Sequence, residues 1–267
     1  MPPGAERCAR AVIEYDGTAF SGSQHQPNRR TVQGVLEEAL NRLTGERVRV
    51  RFAGRTDAGV HATGQVAAFC LARRNRGDGI GWPELRRRLN AVLPPDLALR
   101  SLRPASAGFD PRRDATRRTY RYRIRMTGDR HPLDRHRTLE IGDRLDVSAM
   151  RAAANELVGE RDFAALGSNA RGRTTRNLMR VTVIGRGSSV EIVVTADAFL
   201  RRMVRSIVAI LLEAGRGRLA GGEVAALLEA GERAFHGRAA PAVGLTLERV
   251  YYAKDGQSTV KARKRRT

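Results

Sequence analysis

The stretch VRVRFAGRTDAGVHATGQVAAFCLA, residues 48–72, decides how this chain is read. Val48 to Phe52 alternates apolar and basic side chains, the period-two signature of a half-buried strand. A glycine-rich loop from Ala53 to Gly64 follows, then an apolar run from Gln65 to Ala72. Two strands therefore frame a loop that holds one carboxylate, Asp57, with Arg55 two residues before it. A loop mounted on strands is a rigid platform for chemistry. A cation beside an Asp favours its ionised form, and an ionised, positioned Asp can act as nucleophile or base. Local chemistry alone favours the plainer reading, an Asx-turn at Asp57 and a surface Arg55.

Outward from this stretch, the pattern is that of an α+β protein. Ala11 to Tyr15 reads as a strand, and Thr31 as the N-cap of a helix carrying Val32, Val35, Leu36, Ala39, Leu40 and Leu43, closed by Gly45. Arg73 to Gly81 reads as a polar hairpin or insertion and Trp82 to Leu93 as a helix stopped by Pro94-Pro95. A boundary falls near Leu102 to Asp110. Beyond it come a strand at Arg118–Met126, a capped helix at Asp146–Glu160 and a hairpin of Val181–Ile184 with Val190–Thr195. A long helix at Phe199–Ala214, a helix at Glu223–Leu228 and a strand at Leu245–Tyr252 complete the order. This divides the chain into an N-terminal subdomain, 1–105, a C-terminal subdomain, 106–253, and a basic tail, 254–267, expected to be disordered.

Composition narrows the partners. Lys and Arg total 49 against 28 acidic residues, a net charge of +21, and all but Lys254, Lys261 and Lys264 of the basic residues are arginine. GC-rich codons account for arginine over lysine but not for the surplus, which attracts polyanions and releases their counterions. Nucleic acid is the leading partner. No apolar run reaches a membrane-spanning length and the N-terminus lacks a signal-type stretch, so the expectation is a soluble, cytoplasmic chain. Cys8 and Cys70 are too few for a disulfide scaffold and are expected to be reduced.

Other chemistries find no support. The five histidines, at 25, 61, 131, 136 and 236, have no metal-ligand spacing, and His61 reads as a structural hydrogen-bonding residue. Phosphate-loop, dinucleotide and serine-nucleophile motifs are absent, so neither a metal nor a cofactor is expected. In Arg117-Arg118-Thr119-Tyr120-Arg121-Tyr122-Arg123, tyrosines and arginines alternate on a strand, Tyr120 and Tyr122 on one face and the arginines expected on the other. That interleaving offers base stacking and phosphate contact, or an ordinary amphipathic strand. Arg201, Arg202 and Arg205 lie away from the apolar stripe of the long helix, as a solvated face, a phosphate site or partners of Asp57.

Together these residues resemble the tRNA pseudouridine synthase A (TruA) family. GRTDAGVHA at 54–62 is similar to its catalytic motif without mismatch. The blocks at Tyr15–Leu40, Phe109–Tyr122, Leu145–Phe163, Phe199–Gly217 and Ala240–Tyr252 follow in family order. The resemblance implies a pseudouridine synthase fold: two similar α/β subdomains around a central, mainly antiparallel sheet with a basic cleft. It implies an isomerase, needing no cofactor, that converts uridine to pseudouridine at positions 38, 39 and 40 of the tRNA anticodon stem-loop and works as a homodimer. By the same resemblance Asp57 is the catalytic aspartate, Arg55 helps flip the nucleotide, and Tyr120 stacks on the base and assists the late proton transfer. Arg205 pairs with Asp57, Leu245 supplies an aliphatic wall, and Arg201 and Arg202 bind substrate. A non-catalytic tRNA-binding protein would need the arginines but not the carboxylate. The chain departs from the family pattern at Ser23, where Trp is usual, and at Asp110, Pro111, Arg113 and Arg161. Ser23 is expected to loosen the packing beneath the active loop.

Overall fold

A computed structural model describes residues 6–72, 80–167, 172–231 and 239–253. Among the described residues ten strands form one sheet in the order β4-β1-β3-β10-β5-β9-β8-β7, with β2 beside β3 and β6 beside β5. Their ranges are β1 Arg7–Tyr15, β2 Arg51–Phe52, β3 His61–Leu71, β4 Leu97–Ala105, β5 Ala115–Met126, β6 Leu139–Ile141, β7 Gly159–Asp162, β8 Thr175–Arg186, β9 Ser189–Ala196 and β10 Leu245–Tyr252. Pairing is antiparallel except for β3 with β10 and β5 with β6. The α+β class and the mainly antiparallel sheet are those expected. Strand β4 ends at Ala105, and the sheet continues through both halves of the chain. Strand β10, from the far end of the chain, inserts between β3 and β5 and joins them.

Helix α1 (Val32–Thr44) starts and stops as its sequence dictates. The Thr31 hydroxyl accepts from Gly34 N at 3.2 Å, and Gly45, left-handed at φ 70°, donates its N–H to Asn41 O. The strand expected at Val48–Phe52 shrinks to two residues. Val48 and Val50 are buried as the alternation implied, but Val50 bonds to side chains of α1 instead of a neighbouring strand. Its N–H donates to Glu37 Oε1 and its carbonyl accepts from Gln33 Nε2. Strand β4 escaped the reading because a register shift against Val12 and Ile13 interrupts its period: Leu97 and Leu99 are buried, then Leu102.

Helix α2 (Trp82–Val92) packs on β4, and helix α3 (Val147–Leu157), capped by Asp146, packs on β8 and on helix α4 (Met203–Gly215). Nearly every residue of α4 is buried, consistent with a helix apolar on all sides. It begins at Met203, four residues later than expected. Arg202 is left-handed at φ 65°, so Phe199 to Arg202 form a turn ahead of the helix and only Arg205 of the three arginines lies on it. Helix α5 is Glu223–Glu229. One apolar core runs through both halves, from Ala9 and Leu36 by way of Tyr122 to Ile207 and Val224.

Two further expectations are overturned. Cys8 and Cys70, directly opposed on β1 and β3, form a disulfide and are not reduced thiols. Arg118 does not share the outer face with the other arginines of β5, because it has the parity of Tyr120 and Tyr122 and is buried with them. Most of the 73–81 stretch and the whole 254–267 tail lie outside the described residues.

Candidate active site

The loop from Ala53 to Val60 is held from below at Ala53, Gly54, Thr56 and Gly59. Ala53 N donates to Val66 O at 2.8 Å and Gln65 Nε2 donates to Gly54 O at 2.8 Å, fixing the loop's entry to β3. Thr56 is buried, and its N–H donates to Ser23 Oγ at 2.9 Å while its carbonyl accepts from Ser23 N at 3.1 Å. The Thr56 hydroxyl lies 2.9 Å from the Tyr15 hydroxyl. Burial pushes the Tyr15 pKa up to about 12, so it stays a neutral hydrogen-bonding group. Ser23, fully buried, thus pins the residue preceding Asp57 on both backbone groups. The expected looseness at this departure from the family pattern is not found: a small hydroxyl there ties the loop down.

The exit of the loop is tied as firmly. Val60 N donates to Asp57 O at 3.2 Å, closing a turn that Gly59 completes with φ 78°. His61 is buried; its Nδ1 accepts from Gly17 N at 3.1 Å and lies 3.2 Å from Asp16 Oδ1. Its Nε2 faces Val243 O at 3.2 Å. Burial lowers its pKa from the ordinary 6.5, which keeps the ring neutral, with the proton on Nε2 toward that carbonyl. His61 is a clamp, as its reading as a structural histidine implied.

The Asp57 carboxylate meets helix α4. Arg205 Nη1 stands 3.3 Å from Asp57 Oδ2, and Arg201 Nε stands 4.0 Å from Oδ1. Side-chain exposure separates the two arginines: 18% for Arg205 and 69% for Arg201, against 28% for Asp57. Arg205 is a partly desolvated partner; Arg201 is a solvent-side cation at the rim. Arg55 is exposed and makes no hydrogen bond or ion pair among the described residues, so the cation that holds Asp57 is Arg205 and not its sequence neighbour. Arg202, at the left-handed position, is also exposed.

Tyr120 comes from β5 and reaches the same loop, its hydroxyl 4.0 Å from where a Cβ on Gly54 would sit. Its ring is buried and meets Phe199 edge-on at 5.1 Å between centroids. Burial holds its hydroxyl protonated well above the ordinary range, with Tyr15 and Asp57 adding to the effect and Arg118 opposing it. Leu245, buried, opens β10 opposite Tyr122, one residue before Thr246 pairs with His61. The segment leading to it is anchored on both sides. Arg205 Nε donates to Ala240 O at 2.6 Å, Tyr122 Oη donates to Pro241 O at 2.8 Å, and the His61 ring meets Val243 O. A carboxylate, a guanidinium and a phenol thus converge from three elements of distant sequence.

Residues 11–105 and 153–253 match the family model described as tRNA pseudouridine synthase. The chain belongs to the tRNA pseudouridine synthase family. Members of this family isomerise uridine to pseudouridine in tRNA. The matched segments contain Arg55, Asp57, Arg201, Arg202, Arg205 and Leu245, whereas Tyr120 falls between them. Among curated relatives, the tRNA pseudouridine synthase A of Geobacter sulfurreducens is 42% identical over 253 residues, covering 92% of this chain and 100% of its own. That of Geotalea uraniireducens is 44% identical over 252 residues, with the same coverage of both chains. That of Myxococcus xanthus is 42% identical over 250 residues, 92% of each chain.

Three supports of the site were not singled out by sequence, Tyr15, Gln65 and Arg118, and Ser23 was singled out only as a loosening departure. For Arg118 a signal existed, because strict alternation along β5 places it on the tyrosine side. For Tyr15 and Gln65 none did, since their partners lie 41 and 11 residues away in sequence.

Proposed function

We propose that this chain converts uridine to pseudouridine at positions 38, 39 and 40 of the tRNA anticodon stem-loop, with Asp57 as the catalytic group. The observation that carries the reading is the Asp57–Arg205 pair, 3.3 Å apart, on a loop clamped at both ends beside the Tyr120 ring. A uridine inside a stem must first leave the stack, at a cost of a few kcal/mol. Arg55, exposed and unpaired among the described residues, then occupies the vacated position or grips the backbone in this reading. Arg201 and Arg202 sit at the rim, where phosphates would pass. The N1–C1′ bond then breaks, the detached uracil turns, a C5–C1′ bond forms, and the C5 proton is lost while N1 gains one. Product and substrate are isomers, so the balance requires no oxidant or reductant.

Each side chain has a task in this scheme. The Asp57 carboxylate, 3.3 Å from Arg205 Nη1, attacks or deprotonates as the bond breaks. Tyr120, buried and protonated, stacks on the base and takes part in the late proton transfer; Leu245 closes the apolar side so that the free uracil is retained. The reading includes a homodimer, in which one subunit grips the tRNA body while the other receives the stem-loop. It also includes the division into 1–105 and 106–253, and a cytoplasmic location beside the substrate. Among the described residues no helix is long and apolar enough to cross a membrane.

The test is pseudouridine mapping on unmodified tRNA transcript, by carbodiimide adduct and reverse transcription, with no cofactor added. Wild type is expected to give new stops at 38–40, and Asp57→Asn to give none while binding the tRNA as tightly. Stops produced by Asp57→Asn would remove the catalytic assignment; tight binding without stops from either protein would leave a tRNA binder.

A further inference from the structure

Arg118 is the most deeply buried cation near the site, and nothing in the mechanism above uses it. It lies on β5 two residues before Tyr120 and is 8% exposed. Its guanidinium bonds to no carboxylate among the described residues; it is spent on main-chain carbonyls. Nη1 donates to Asp197 O at 2.6 Å and Ala115 O at 3.4 Å, and Nη2 donates to Ala53 O at 3.1 Å and Arg112 O at 2.7 Å. Burying a charge in this way is costly, and a planar five-donor fork serves carbonyls on separate segments in fixed directions.

The origin of those carbonyls gives the arrangement its meaning. Ala53 is the entry of the loop that carries Asp57, four residues on. Asp197 begins the turn that carries Phe199, Arg201 and Arg202 and leads to Arg205. Arg118 shares a strand face with Tyr120, whose ring rests on Phe199. One guanidinium therefore joins the two segments whose side chains form the Asp57–Arg205 pair, and sets both against the tyrosine. The pair itself spans 148 residues of sequence with a single 3.3 Å contact. It cannot fix that spacing alone.

We propose that Arg118 is a positioning residue that holds the Asp57 loop and the Phe199–Arg205 segment at catalytic distance. The catalytic part of this inference rests on the pseudouridine synthase reading; the structural part does not. Lys at 118 keeps the charge but offers its donors from one point and cannot span both segments. Arg118→Lys in the full chain is therefore expected to lower the single-turnover rate at least 30-fold, with tRNA Kd within about threefold of wild type, measured well below its Tm. Hydrogen–deuterium exchange on the free proteins is expected to rise at least fivefold in 53–60 and 197–205, while β8 and α3 exchange as in wild type. A merely stabilising residue would lower Tm and leave both the rate of the folded protein and this local pattern unchanged, which would overturn the proposal. If Arg118→Lys is not recovered folded, Arg118→Gln, planar but neutral, takes its place with the same expectations. Should wild type form no pseudouridine, the catalytic reading fails, and the exchange pattern alone still decides whether Arg118 couples the two segments.

Discussion

Arg201 and Arg205 both approach the Asp57 carboxylate, yet their surroundings assign them unequal weight. Arg205 is mostly buried, bonded at once to Asp57 and to Ala240 O, so its loss frees the carboxylate and one anchor of the segment before Leu245. Arg201 is mostly in water, where an ion pair at 4.0 Å contributes little. Arg205→Ala is therefore expected to lower kcat by about 10²-fold, the order associated with misplacing a reacting group by an ångström, and Arg201→Ala by less than tenfold. Equal losses in steady-state kinetics would make both arginines parts of one phosphate-binding patch. His61 supplies a pH test. Its folded pKa lies below the ordinary 6.5, so the unfolded chain takes up the proton first as pH falls. The His61 contribution to stability is complete above about 6.5 and is lost as pH drops from there through the folded value. Asp16 and Arg137 are the charges acting on the ring; Asp16, itself lowered from 3.8, titrates in a separate window further down. Tm of wild type is expected to fall between pH 7 and 5 more steeply than that of His61→Gln, and parallel curves would show that His61 is not protonated on unfolding.

The β3–β10 contact is the element on which the site depends, because it is the seam between the two halves and begins beside the active loop. Gly64 lets the strands approach: a Cβ there would sit 2.1 Å from Glu248 O, a backbone atom that cannot turn aside. Gly64→Ala is expected to cost about 3 kcal/mol or more, about 10 °C in Tm, and to lower activity by shifting Thr246 against His61. Gly108→Ala, whose added Cβ meets nothing within 4 Å, is the control and should be nearly neutral in the same thermal scan. An equal Tm for the two variants would mean that the seam yields. Much at this scale was legible in the chain. Thr31 and Gly45 bracket α1, Asp146 caps α3, and alternation marks β5 and β9, because each is a local pattern of caps and periods. What escaped has non-local causes. Val48 to Val50 satisfies its backbone from α1 side chains, β4 shifts phase at a bulge, and α4 starts late because Arg202 takes a left-handed turn. The site divides in the same way. Asp57, Tyr120 and Arg205 stand out through residue type and motif, whereas Ser23 supports Thr56 across a separation no periodic pattern reports.

For the whole molecule, net charge and charge placement have to be weighed together. The surplus of +21 sets the field that draws a polyanion, but many arginines are already committed within the protein. Arg30 is bidentate on Asp96, Arg121 bridges Glu191 and Glu248, Arg216 and Arg218 share Glu213, and Arg118 is enclosed by carbonyls. Such cations add to the long-range potential without contacting phosphate. Arg55, Arg201 and Arg202 are exposed, and two of them make no ion pair among the described residues. Counterion release depends on phosphates contacted, not on net charge, so the salt dependence of tRNA binding should report the exposed set alone. The Kd for tRNA is expected to rise steeply between 50 and 200 mM salt, as about 10³-fold or more would follow from six or more phosphate contacts. Replacing Arg201 and Arg202 together by Ala should reduce the slope of log Kd against log salt by about two, since each phosphate contact contributes about one. Asp57→Asn should leave the slope unchanged, because a carboxylate paired with Arg205 makes no phosphate contact of its own. A slope untouched by the double replacement would place the tRNA backbone on another face of the sheet, and the rim arginines would then act on the flipped nucleotide only.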